Sequence, residues 1–108
     1  MTVTTRRVNT DEAGKLFVSW TIRAVWQKAT IVPGVDPNIR RKDRCGAWID
    51  WNKYGDTTPT GNGWEIDHVV PVSMGGGDAI SNLQPLQWQN NRAKADSLLG
   101  WSCAIVAK

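Results

Sequence analysis

"GWEIDHVVPVSMGGGDAISNLQPLQWQNNRAKAD", Gly63 to Asp96, contains His68, the only histidine among 108 residues. Asp67 stands immediately before it, and a glycine loop, amides and bases follow. In "GWEIDH", Trp64 and Ile66 alternate with Glu65 and Asp67, the period of a strand with two unlike faces. A long loop through Gly75, Gly76 and Gly77 leads to "NLQPL", a candidate second strand. Pro85 is tolerated there because both strands of a two-stranded hairpin are edges. From Gln87 to about Leu99 the residues favour a helix, which Gly100 stops. The stretch thus predicts strand, long loop, strand, helix.

Upstream, Thr10, Asp11 and Glu12 offer a helix start, and the apolar spacing predicts a helix over residues 18–29. "IVPGVDPN" ends it, because Pro33, Gly34 and Pro37 punctuate too densely for regular structure. A loop carrying Arg40, Arg41, Lys42 and Arg44, interrupted only by Asp43, is expected next. "CGAWIDW" reads as a short strand or an irregular packed segment, and "NKYGDTTPTGNG" as turns. The seven tryptophans read chiefly as packing residues of a small core, with an exposed one able to stack on a base.

The length predicts one domain, spanning residues 1–108. A net charge of +3 hides an asymmetry: residues 1–44 carry nine Lys and Arg against four acids, residues 45–108 four against six. A basic arm beside a separate acidic site suits a polyanionic substrate. No apolar stretch approaches membrane-spanning length, so no membrane partner is expected. Cys45 and Cys103, without a CxxC, are too few for a Cys-rich zinc site. They can pair in an oxidising compartment. "MTVTTRRVNT" has no secretory apolar core, however, so a cytoplasmic protein with reduced thiols is expected.

The order of elements, with Asp67-His68 closing the first strand and Asn91 early in the helix, resembles the HNH endonucleases, whose active site is the ββα-metal fold. Asp67, His68, Pro71, Gly75, Gly76, Asn82, Leu83, Asn91 and Lys94 carry the resemblance. It is similar to members with asparagine at the last motif position, like the HNH domain of RNA-guided bacterial DNA nucleases, and to small free-standing bacterial and phage HNH proteins. The resemblance implies an α+β fold: a ββα-metal core over residues 45–108 with the N-terminal helix and basic loop of residues 1–44 packed around it. It also implies metal-dependent hydrolysis of DNA, RNA not being excluded, that leaves a 5′-phosphate and a 3′-hydroxyl. One active site per chain implies nicking by a monomer, or a weak homodimer for double-strand breaks.

Carried over residue by residue, the resemblance makes Asp67 and Asn91 the metal ligands and His68 the general base. Asn82 ties down the loop and helps orient the histidine. Lys94 and Arg92 are the near substrate-binding candidates, and Arg40, Arg41, Lys42 and Arg44, with Arg23 and Lys28, the remote ones. The chemistry is consistent with this. Hydrolysing a phosphodiester needs an activated water and a charge to stabilise the phosphate and leaving oxygen. Imidazole titrates near neutrality and can take the proton. Carboxylate and amide oxygens suit Mg²⁺ first, Mn²⁺ next and Zn²⁺ least. Consecutive helical residues point about 100° apart, so only one of Asn90 and Asn91 can face a metal, and motif spacing favours Asn91. The alternative is a nucleic-acid-binding module with a dormant core.

Overall fold

The computed structural model describes residues 6–106. Helix α1 runs from Ser19 to Trp26 and buries Val25 and Trp26. It stops short of the predicted residue 29. The reason lies in Arg41, whose guanidinium donates to Gln27 O (3.1 Å), Ala29 O (3.3 Å) and Pro37 O (2.8 Å). These bonds draw the chain beyond the helix into a turn, from which Thr30 pairs with Lys42.

The basic segment is accordingly not a loop. Arg40–Lys42 form strand β1, antiparallel to β2 (Trp48–Asp50), with Arg41 opposite Ile49. Strand alternation turns Arg41 and Ile49 inward, where both are buried. The tight turn between the strands is organised by Asp43, whose Oδ1 accepts the N–H groups of Cys45 and Ala47, both at 2.9 Å. Its other oxygen accepts Gln87 N–H (2.8 Å) and Asn90 Nδ2 (3.0 Å), so one buried carboxylate joins this hairpin to the second half of the chain.

That second half follows the predicted order. Strand β3 (Trp64–His68) pairs antiparallel with β4 (Leu83–Gln87), from Trp64 opposite Gln87 to His68 opposite Leu83. Helix α2 (Trp88–Lys94) starts immediately, with Gln87 Oε1 capping the N–H groups of Gln89 and Asn90. The protein is therefore α+β, with the strand–strand–helix order of a ββα core. Helix α2 ends at Lys94 rather than near Leu99, because Ala95 takes a left-handed φ of 48° and the chain doubles back.

The returning tail is tied down twice. Ile105 and the Asn90 side-chain amide exchange hydrogen bonds at 2.7 and 2.9 Å. Cys103 forms a disulfide with Cys45, Cα–Cα 5.9 Å, which corrects the expectation of reduced thiols. Among the described residues, no helix is long and apolar enough to cross a membrane.

The core gathers Val25, Trp26, Ile49, Trp64, Ile66 and Leu83, with Trp51 and Tyr54 at its margin. The Trp64 ring lies 5.3 Å from Trp26 and 4.9 Å from Tyr54, centroid to centroid. Trp20 departs from the packing expectation: it is 70% exposed.

Candidate active site

Strand β3 is buried along its whole length, and its two faces serve different ends. Trp64 and Ile66 join the aromatic core, whereas Glu65 and Asp67 bond to side chains of α2. His68 is the last strand residue, and the chain then leaves the ladder at Val69. A cleft of about 560 Å³ opens there, lined by Asp67, His68, Pro71, Asn91 and Arg92 among others.

Asp67 is held at both oxygens. Gln84 Nε2 donates to Oδ2 (2.9 Å) and Lys94 Nζ to Oδ1 (3.1 Å). Burial pushes the Asp67 carboxyl above its ordinary range, opposed by the Gln84 hydrogen bond and by the charge and hydrogen bond of Lys94. The same Lys94 ammonium donates to His68 O (3.0 Å), fixing the end of β3.

His68 Nε2 lies 2.9 Å from Asp78 Oδ1, and Phe17 packs beside the imidazole at 5.9 Å. Asp78 reaches it because the intervening loop is folded tightly. Gly75 sits at φ 91°, and a Cβ on Gly76 would come within 1.7 Å of Val70 O, so this approach requires glycine. Asn82 closes the loop: its Oδ1 accepts Val70 N–H (2.8 Å), and its Nδ2 donates to Val70 O (3.2 Å) and Gly77 O (2.9 Å). Every one of these bonds is to backbone, so Asn82 ties down the loop that carries Asp78 and makes no bond to His68 itself.

Asn91 and Asn90 point apart. Asn91 Nδ2 donates to Glu65 Oε1 (2.8 Å), which leaves its amide oxygen available on the cleft wall. Asn90 is fully buried between Asp43 and Ile105. Glu65 is fully buried as well and also accepts Arg92 Nη2 at 2.9 Å. It therefore orients two cleft residues and lies off the cleft surface itself.

The structure sequesters some of the expected substrate contacts and leaves others away from the cleft. Lys94 is 1% exposed and sealed between Asp67 and His68, so it has no free ammonium for a phosphate. Arg41 is buried, with its donors on carbonyls. Lys28 Nζ donates to Ile80 O (2.7 Å) and to Leu83 O. Arg40 is paired with Asp50, Lys42 lies over Trp48 and Arg44 over Trp101. None of Arg40, Arg41, Lys42 and Arg44 lines the cleft; Arg92 does.

The sequence reading missed Asp78, Gln84 and an N-terminal strap from Arg6 to Thr10 that forms part of the cleft wall. Asp78 had a faint signal, an acid at the end of a glycine loop ten residues after the histidine. The strap had none.

The cleft offers hard oxygen donors from Asp67 and Asn91. No group of three His, Cys, Asp or Glu side chains able to hold a metal occurs among the described residues. Such a donor set fits a hard divalent ion that keeps waters or takes substrate oxygens, and fits poorly a soft metal needing a full protein shell. The sequence model of the family described as HNH endonuclease matches residues 43–97, half of the chain. No curated protein and no solved structure matches the chain.

Proposed function

The chain belongs to the HNH endonuclease family, and from that premise we propose that it nicks DNA with His68 as general base and a divalent ion held at Asp67 and Asn91. Membership brings with it a nucleic-acid substrate and, as a general family property, a divalent metal. The observation that carries the finer reading is the meeting of Asp67, His68 and Asn91 on one cleft, with the His68 ring fixed by a carboxylate.

When bound, Mg²⁺ or Mn²⁺ supplies Lewis-acid stabilisation of the charge on the phosphate and leaving oxygen. The protein's residues do the rest. The Asp78 carboxylate, 2.9 Å from His68 Nε2, favours the tautomer with its proton there, and in that tautomer Nδ1 is the nitrogen that would take a proton from water. Gln84 and Lys94 fix the Asp67 carboxylate, and Glu65 takes the Asn91 N–H so that the amide presents its oxygen. Residues 1–44 belong to the same working unit: Arg41 closes the end of α1, Lys28 binds β4, and Asp43 bonds to Gln87 and Asn90. One cleft per chain makes a monomer a nicking enzyme.

One observation favours the second reading, a DNA-binding module with a dormant core: both oxygens of Asp67 already have protein partners. Supercoiled-plasmid relaxation by wild type and His68→Ala, in Mg²⁺, Mn²⁺ or EDTA, separates the two. We expect relaxed product from wild type, none in EDTA, and a loss of about 100-fold or more in the variant. Equal relaxation by both proteins removes His68 from the chemistry, and tight binding without relaxation in any metal establishes the dormant module.

A further inference from the structure

Part of the cleft wall comes from outside the segment that matches the family. The strap from Arg6 to Thr10 lies there, and it brings two arginines to the cleft that holds Asp67, His68 and Asn91. Arg6 is held by carbonyls: Nη2 donates to Thr10 O (3.0 Å) and to Asp11 O (2.5 Å). Arg7 is exposed beside it. Among the described residues neither arginine forms an ion pair, whereas Arg92 in the same cleft is paired with Glu65.

The strap is not loosely placed. Asn9, at φ 59°, turns its Oδ1 onto the N–H of Ile66 in β3 (2.8 Å), and its own carbonyl accepts Phe17 N–H. Further on, Glu12 and Asp78 exchange hydrogen bonds: Glu12 N–H donates to Asp78 Oδ1 (3.0 Å), and Asp78 N–H donates to Glu12 Oε2 (3.1 Å). The Asp78 carboxylate that holds His68 thus also registers the strap. Two guanidinium charges without acid partners, set at fixed range from the base and the oxygen donors, are chemically matched to a phosphodiester.

We propose that Arg6 and Arg7 are phosphate-positioning residues that hold the nucleic-acid backbone beside the bond to be cut. Arg6 supplies a charge held in place by backbone carbonyls, and Arg7 an exposed donor on the cleft wall. This rests on the nuclease reading, and the experiment keeps the two apart. Nicking kinetics in Mg²⁺ and the salt dependence of binding to a labelled DNA duplex in EDTA are measured for wild type, Arg7→Ala and Arg7→Lys. Lys15→Ala removes the same charge further along the N-terminal segment, at an exposed position off the cleft, and serves as the control.

Arg7→Ala is expected to lower kcat/KM about tenfold, mostly through KM, and to reduce the slope of log affinity against log salt by about 1, with an unchanged melting temperature. Arg7→Lys is expected to restore the salt slope. Arg7→Ala indistinguishable from Lys15→Ala in both assays overturns the proposal. Wild-type binding without nicking would sink the nuclease reading instead, and the salt slopes would still decide the role of Arg7.

Discussion

Tyr54 is the only tyrosine in the chain, and its hydroxyl is buried without a hydrogen-bond partner among the described residues. Burial pushes the phenol far above its ordinary range, and the charge of Glu65 pushes the same way. Two outcomes follow for Tyr54→Phe. Near neutral pH the substitution should be neutral or slightly stabilising in urea unfolding, because it removes an unsatisfied O–H while keeping the ring on Trp64. In alkali the variants should diverge. A phenol with a raised folded-state pKa favours the fold fully below its ordinary pKa of 10.0, and that contribution is lost as pH climbs beyond it. Wild type should therefore lose stability above about pH 10, with phenolate absorbance appearing alongside unfolding, and Tyr54→Phe should lack that component. At this scale the place of Asp67 and His68 at the end of a strand was legible in the sequence, because alternation and the exit at Pro71 are readable without coordinates. Asp78 was hidden, since its bond to His68 depends on a loop path that Gly76 and Asn82 create together.

Among the elements, β1 shows how a charged segment becomes regular structure. "RRK" has no apolar residue to place it in a sheet, yet Arg41 supplies donors for carbonyls left open where α1 ends. Arg41→Ala should cost about 2–4 kcal/mol in urea unfolding, because buried carbonyls lose their partners. Lys42→Ala, next to it but facing outward over Trp48, should change stability little. Equal effects would mean that the inward arginine is not holding the hairpin. β3, β4 and the start of α2 were legible from period and from Gly and Pro punctuation. The early end of α2 was not, because "AKADSLL" has good helix propensity and the break comes from a tertiary demand: the chain must turn back to place Ile105 on Asn90 and Cys103 on Cys45.

Over the whole molecule, the Cys45–Cys103 bridge closes a loop spanning 58 residues that contains β2, β3, β4 and α2. A cross-link of that span stabilises by about 4 kcal/mol through the entropy of the unfolded chain. Cys45→Ser with Cys103→Ser should lower the urea midpoint accordingly, and a thiol titration of the unfolded wild type should find no free cysteine. Two cysteines without a motif, in a chain with no secretory apolar core, favoured reduced thiols in the sequence, and only their proximity in the fold shows the pairing. The N-terminal charge excess was visible in the sequence, but its meaning was not. Arg41 is internal, Arg40 is paired and Lys28 sits on carbonyls, so the excess of cations does not form one free surface.

The aromatic arrangement has a practical consequence for anyone following this protein in solution. Trp26, Trp51 and Trp64 lie within 6.1 Å of one another, close enough for their excited states to couple, whereas Trp20 stands largely in water. Intrinsic emission should therefore contain a blue component from the buried Trp26 and Trp64, shielded from iodide, and a red, readily quenched one from Trp20, with the half-buried Trp48, Trp51, Trp88 and Trp101 between them. The shielded band and its near-ultraviolet dichroism would report the packing behind β3, and the quenchable band the open start of α1. A single cuvette could then distinguish a protein that has loosened its interior from one that has merely bound something on its surface.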